Sequence, residues 1–332
     1  MQSFWKNRKV LVTGAGGFIG SHLCELLIDE GAEVTAMLHY DCRPSRSNLD
    51  FLVSEKLSKI KFISGDICDP FFVRTNTRGM DTVFHLAALI AIPYSYVAPQ
   101  TYFRTNVEGT LNIVEACRSE NIRRLVHTST SETYGTAIYT PIDEKHPLQG
   151  QSPYSASKIG ADKVVESYHL SFNLPAVTLR PFNTYGPRQS ARAIIPTIIT
   201  QLFSESSEIK LGELSPVRDL NFVKDTVAAF LAAAQFDNCI GKTLNAGSGR
   251  SITIGELATL LMKLTGREKP IVTDKDRLRP EKSEVFKLIA DSSQLQELTG
   301  WKPRYILEDG LRHTIDFVHS NPRNFQIGEY SL

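Results

Sequence analysis

Tyr154 and Lys158 stand four residues apart in Tyr-Ser-Ala-Ser-Lys, downstream of the run Ser129-Thr130-Ser131-Glu132. On a helix that spacing puts both side chains on one face, where an ammonium stabilises a phenolate and lowers a phenol pKa that is ordinarily about 10. A tyrosine tuned in this way takes a proton from a hydroxyl near neutral pH, which suits the pair to oxidising an alcohol. The chain holds 11 tyrosines, enough for such a pair to arise by chance. Its surroundings therefore decide.

Short apolar runs, KVLVTG, EVTAML, KIKFISGD, DTVFHLAA, RRLVHTST and PAVTLRP, alternate with amphipathic or polar segments through the first half of the chain. The alternation predicts βαβ units and a parallel sheet covered on both faces. Helices are expected at Phe18 to Glu30, Gln100 to Ser119 and Ser155 to Phe172, each followed by a break such as Gly31 or Pro175. After Pro181 the pattern is less regular. The stretch from Val223 to Ala234 reads as a helix and Lys242 to Gly247 as a strand able to rejoin the sheet, while helices near Gly255 to Leu264 and Ile306 to Val318 suit a smaller lobe.

The first expected strand runs into Thr13-Gly14-Ala-Gly-Gly17-Phe18-Ile19-Gly20, and a helical pattern follows at once. Gly14 permits a tight turn, Gly17 lets backbone N–H groups approach a pyrophosphate, Gly20 permits close helix–strand packing, and the helix N-terminus adds partial positive charge. The spacing is GxxGxxG, and its place after the first strand points to dinucleotide binding. The fold expected is thus an α/β, Rossmann-type doubly wound parallel sheet: residues 1–180 bind the dinucleotide, rejoined by about 220–247, and 181–219 with 248–332 form a smaller C-terminal substrate-binding lobe.

For NAD, a carboxylate is expected about 20 positions further on, accepting from the ribose 2′-OH. Leu38-His39-Tyr40 occupy that place, Asp41 comes slightly late, and Arg43 and Arg46 follow. A missing carboxylate with arginines nearby suits a 2′-phosphate, so NADP is the expected cofactor and NAD the alternative.

The 37 basic and 36 acidic residues nearly cancel with no long basic run, which argues against nucleic acid or an anionic membrane as partner. MQSFWKNRKVLVTG reads straight into a strand without a secretory signal, and the apolar stretch around Val83 to Val97 is too short for a membrane span. Five cysteines, scattered singly, point to a reducing, cytoplasmic setting without a disulfide framework or zinc site. The eight histidines show no metal-ligand spacing, and His85 reads as a packing residue at a strand end.

Taken in order, the glycine loop, His85-Leu86-Ala87-Ala88, Ser129 to Glu132, the Tyr154/Lys158 pair and Arg180-Pro-Phe-Asn-Thr-Tyr-Gly-Pro-Arg188 resemble the extended short-chain dehydrogenase/reductase family, in its nucleotide-sugar epimerase/dehydratase branch. The resemblance covers essentially the whole chain. It implies a tightly bound, recycled cofactor and a nucleoside-diphosphate sugar under the C-terminal lobe. It also implies a homodimer packed through the helices Gln100 to Ser119 and Ser155 to Phe172.

By that resemblance, Tyr154 deprotonates the sugar 4-hydroxyl as hydride leaves C4 for the nicotinamide, Lys158 holds the nicotinamide ribose, and Thr130 bonds the same sugar oxygen. Asp66 and Ile67 touch the adenine. Gly14, Gly17, Phe18, Ile19, Arg43 and Leu86 to Ala88 complete the cofactor set, and Asn183, Arg188, Arg218 and Arg279 take the diphosphate and nucleoside. Arginine suits phosphate through its paired donors.

Glu132 separates the reactions open to this family. Once C4 is a ketone the C5 proton is acidic, and 4,6-dehydratases place a carboxylate to remove it, with an aspartate beside it protonating the leaving 6-hydroxyl. Here Ser131 stands in the aspartate's place, so either Glu132 carries the proton to that hydroxyl itself or the reaction differs.

Thr130-Ser131-Glu132 is also similar to UDP-glucuronate decarboxylases, and 4-epimerisation is a further alternative. The wider wording, PIDEKHPLQGQSPYSASKIGAD, RPFNTYGPRQSARAIIPTIITQL and LSPVRDLNFVKDT, resembles UDP-N-acetylglucosamine 4,6-dehydratase-like enzymes of legionaminic and pseudaminic acid pathways, some acting on GDP-linked sugar and some stopping at a 5,6-ene. Hexosamine dehydration is therefore the expected activity. A non-enzymatic NADP sensor fits poorly, because Tyr154, Lys158, Thr130 and Glu132 are all present.

Overall fold

A computed structural model describes residues 3–42, 45–277, 280 and 283–325. Arg43 and Arg279 lie outside the described residues. Seven parallel strands form one sheet: β1 (Lys9–Thr13), β2 (Glu33–His39), β3 (Ile60–Gly65), β4 (Thr82–His85), β5 (Arg124–Thr128), β6 (Ala176–Pro181) and the late strand Thr243–Ala246. Their order places the late strand at one edge, followed by β6, β5, β4, β1, β2 and β3. Strand order reverses beside β1, which has β2 on one side and β4 on the other. A crevice opens at such a reversal, at the C-terminal ends of the strands.

The strands are apolar in succession because helices cover both sheet faces. Val10 and Val12 of β1 enter one buried cluster with Leu23, Leu27, Phe84 and Phe230. Leu11 between them enters the other, with Met37, Val83, Ile113 and Leu125. This alternation is the two-residue period of an extended chain.

Helix α1 (Phe18–Asp29) follows β1 as expected and ends beside Gly31, whose φ is +84°. The long helix Pro153–Phe172 begins in a reciprocal cap between Ser152 and Ser155, with proline at its first position, and ends on Asn173 in the left-handed conformation. Each feature is a strong local terminus signal.

The stretch expected as one helix from Gln100 to Ser119 is instead built in three parts, Pro99–Phe103, a π-helical turn at Arg104–Glu108, and Gly109–Ser119. The π turn surrounds Asn106, whose side chain is committed to the backbone of Leu89.

The late strand pairs in register with β6, Thr243 opposite Thr178, so the chain returns to the sheet after the helix Val223–Gln235. The helix Ile194–Phe203, not among the helices expected from the sequence, packs with Ile254–Thr265 and Leu307–Ser320 over short strand pairs in the C-terminal lobe. Among the described residues, no helix is long and apolar enough to cross a membrane.

Candidate active site

A continuous cleft of about 1680 Å³ runs from the C-terminal ends of β1, β2 and β3 to the underside of the C-terminal lobe. At one end its floor is backbone. Gly14 has φ +68°, and a Cβ there would come within 2.7 Å of the Ala87 nitrogen. A Cβ at Gly20 would collide with the Gly14 carbonyl. Gly17 caps α1 without a side-chain acceptor, which leaves first-turn N–H groups available to an anion at the positive end of the helix. These residues fit a dinucleotide pyrophosphate.

Phe18, Ile19, Asp66, Ile67, Leu86, Ala87 and Ala88 line the same part of the cleft. The Thr13 hydroxyl oxygen holds this wall in place by accepting from the Leu86 and Ala87 N–H groups, both at 3.1 Å. Thr110 donates to the Asn106 carbonyl, so its oxygen accepts from His85 Nε2–H at 3.0 Å, and His85 Nδ1 accepts from Thr13 at 2.8 Å. Burial and the neighbouring His127 hold His85 well below the usual histidine range. His85 is therefore a neutral packing and hydrogen-bonding residue.

Asp41 lines the cleft, as do Ser45 and Ser47. Arg46 is paired with Asp50 at 3.9 Å and lies over the Phe62 ring.

At the centre of the cleft, Tyr154 and Lys158 lie one turn apart on Pro153–Phe172 and face Thr130 and Glu132 at the end of β5. Thr130 caps the short turn Ser131–Tyr134 by accepting from the Glu132 N–H at 3.3 Å. Tyr154 is 7% exposed and Lys158 4%. Lys158 donates to the Thr128 carbonyl at 2.7 Å.

The expectation that Lys158 lowers the Tyr154 pKa is corrected here. Burial pushes the Tyr154 phenol well above its ordinary value, a hydrogen bond with Thr130 opposes that rise, and the negative charge of Glu132 adds to it. Burial also lowers Lys158 to about 8, with Asp162 acting in the opposite direction.

Under the C-terminal lobe, Asn183 and Arg218 line the cleft. Asn183 Oδ1 is buried and has no hydrogen-bond partner among the described residues. Arg218 pairs with Glu284 at 3.1 Å. Arg188, expected to bind substrate, is the exception. It sits outside the cleft lining, with φ +66°, and its guanidinium pairs with Glu25 of α1 at 2.6 Å. Its motif places it beside the site, but its side chain reaches Glu25 of α1.

Five supporting residues escaped the sequence reading: Asn106, Tyr134, Asp162, Arg180 and Asn245. Asp162 carried a signal, since it continues the four-residue spacing Tyr154, Lys158, Asp162 along one helix face.

A family model described as GDP-mannose 4,6 dehydratase matches residues 11–314. A dTDP-glucose 4,6-dehydratase of Streptomyces griseus is 32% identical over 94% of this chain and 94% of its own. Among solved structures, the DesIV double mutant of Streptomyces venezuelae, a dTDP-glucose 4,6-dehydratase with NAD bound, superposes with a TM-score of 0.86 at 27% identity, covering 95% of this chain and 98% of that one. UDP-glucuronic acid 4-epimerase of Bacillus cereus, in complex with UDP-glucuronic acid and NAD, superposes at 0.85 with 28% identity over 94% and 99%. The chain belongs to the GDP-mannose 4,6 dehydratase family, among the extended short-chain dehydrogenase/reductase enzymes that act as nucleotide-sugar dehydratases and epimerases.

Proposed function

We propose that this chain dehydrates a nucleotide-linked hexosamine, UDP-N-acetylglucosamine or its GDP-linked equivalent, at C5 and C6. The observation that carries the reading is Glu132 in the same cleft as Tyr154 and Lys158, on a turn whose first residue is Thr130. A bound nicotinamide dinucleotide supplies the hydride acceptor and donor. Tyr154, once ionised against the positive charges of Lys158 and of an oxidised nicotinamide, would take the 4-hydroxyl proton as C4 becomes a ketone, with Thr130 on the same oxygen. Glu132 then removes the acidified C5 proton and delivers it to the 6-hydroxyl, which leaves as water. Hydride returned to C6, with a solvent proton added at C5, would give the 4-keto-6-deoxy sugar, and hydride returned to C4, with the Tyr154 proton returned to the 4-oxygen, would give the 5,6-ene; either product is lighter than substrate by one water.

The cofactor proposed is NAD. Asp41 lines the ribose end of the cleft, Arg46 is engaged by Asp50 and Phe62, and the solved relatives above hold NAD. The NADP expectation rested on Arg43 and Arg46, and Arg43 lies outside the described residues. Asn183 and Arg218 are assigned to the diphosphate and nucleoside. The dinucleotide domain is assigned to 1–180 with 220–247, and the remainder to the substrate lobe. Exposed Phe103, Leu111, Leu170 and Phe172 on the two helices named for pairing support a homodimer, and a cytoplasmic location belongs to the same reading.

A second reading, 4-epimerisation, draws on Ser131, which supplies no acid for the 6-hydroxyl, and on the Bacillus cereus relative. Incubation with UDP-N-acetylglucosamine, GDP-N-acetylglucosamine and UDP-glucuronate, followed by mass spectrometry, separates the readings. Loss of water is expected from a hexosamine. An isobaric product means epimerisation, and loss of carbon dioxide from the glucuronate means decarboxylation.

A further inference from the structure

The four residues 130–133, which carry Thr130 and Glu132 into the cleft, are held from both sides by one buried ion pair. Before them, Ser129 donates to Asp162 Oδ2 at 2.7 Å. After them, the Tyr134 hydroxyl accepts from Arg180 Nη1 at 3.0 Å, and the guanidinium lies 4.8 Å from the centre of the Tyr134 ring. Arg180 Nη2 donates to Asp162 Oδ2 at 2.8 Å, both side chains being 5% exposed.

Two further bonds fix the pair in the sheet. His127 of β5 bonds Asp162 at 3.2 Å, and Tyr134 donates to Asn245 of the late strand at 2.8 Å. Behind the pair lies a separate cavity of about 290 Å³ bordered by Asp162 and Arg180, so close packing does not back the segment from that side.

Buried ion pairs are weak sources of stability, and an aliphatic pair would fill the same space at less desolvation cost. What charge and a forked donor add is fixed direction. Neither Asp162 nor Arg180 lines the active cleft; both reach residues 130–133 through Ser129 and Tyr134, and the Asp162 charge also favours the charged form of Lys158.

We infer that the Asp162–Arg180 pair is a positioning device that sets the aim of Glu132 relative to Tyr154. It makes C5 deprotonation more dependent on the pair than C4 oxidation is. The inference rests on the dehydration reading.

The test uses the full chain in deuterated water with UDP-N-acetylglucosamine, or GDP-N-acetylglucosamine where the first is not oxidised. It follows reduced-nicotinamide absorbance for C4 oxidation and mass spectrometry for deuterium at C5. Arg180→Lys keeps the charge but loses the fork, and Tyr134→Phe keeps the ring and the ion pair, so the second variant retains the fold even where the first does not. Because misplacement by an ångström costs on the order of 100-fold, C5 exchange should fall about tenfold or more in both, with C4 oxidation within about threefold of wild type. Equal losses in the two half-reactions, or no loss in either, overturn the positioning role. Wild-type protein that oxidises C4 with neither C5 exchange nor loss of water overturns the dehydration reading, and this role with it.

Discussion

The two ends of the cleft are built in opposite ways. The dinucleotide end is made of backbone and of missing side chains: Gly14 at φ +68°, Gly20 against the Gly14 carbonyl, and the open first turn of α1. The reacting end is made of side chains brought from separate strands and helices, Thr130 and Glu132 after β5 and Tyr154 with Lys158 on Pro153–Phe172, all on or beside buried polar groups. The first end is specified by a few neighbours in sequence. The second depends on long-range register, so a substitution there separates steps of a reaction rather than merely weakening binding.

The largest effect should follow Tyr154→Phe, which removes the base for C4 oxidation; a loss of about 100- to 10,000-fold in reduced-nicotinamide formation is expected. Near-normal turnover would show that another group starts the reaction. At the backbone end, Gly14→Ala must hold a left-handed conformation, costing about 1–2 kcal/mol before any clash, and also drives a methyl toward Ala87. Dinucleotide affinity and Tm should fall together, as read by titration and melting, while C5 exchange per bound cofactor stays intact.

A third comparison lies within the substrate half. Arg218→Ala should raise KM by about 10- to 100-fold, from loss of a charged hydrogen bond of roughly 1.5–3 kcal/mol. Arg188→Gln, outside the cleft lining and paired with Glu25, should lower Tm with KM within about twofold of wild type. A large KM effect at Arg188 would restore its expected role in substrate binding.

The smallest effect concerns pH. Lys158 is charged below about 8 and neutral above it, so a need for its ammonium places an alkaline fall in kcat/KM near that pH. Lys158→Arg, whose charge persists, should move the fall to higher pH. The linked stability effect has the opposite sign. A lysine with a lowered folded pKa binds fewer protons than the unfolded chain between about 8 and its ordinary value, so its burial cost is relieved as pH rises through that window.

What could be read from the residues follows the same division. α1, the parallel strands and the tyrosine helix were legible because their signals are local: glycine spacing, apolar runs, and a proline and serine at a helix start. The return of Thr243–Ala246 to β6 was also legible, since Lys242 to Gly247 reads as a strand.

The helix Ile194–Phe203 was not, although Ile194, Ile195, Ile198, Ile199, Leu202 and Phe203 recur at helical spacing, because Pro196 and the β-branched residues around it argue locally against a helix. The π turn at Asn106 depends on Leu89, seventeen positions away. For Arg188 the motif gives the position along the chain and not the partner its side chain takes, here Glu25. The Tyr154 shift was misjudged because spacing reveals a partner but not the burial that outweighs it.

The central claim, that Glu132 turns a transient C4 oxidation into C5 chemistry, is tested most directly by Glu132→Gln in deuterated water with the hexosamine substrate. Continued C4 oxidation is expected, aided by removal of a charge that raises the Tyr154 pKa, with no deuterium at C5 and no loss of water. Release of dehydrated sugar at the wild-type rate would contradict that role for Glu132.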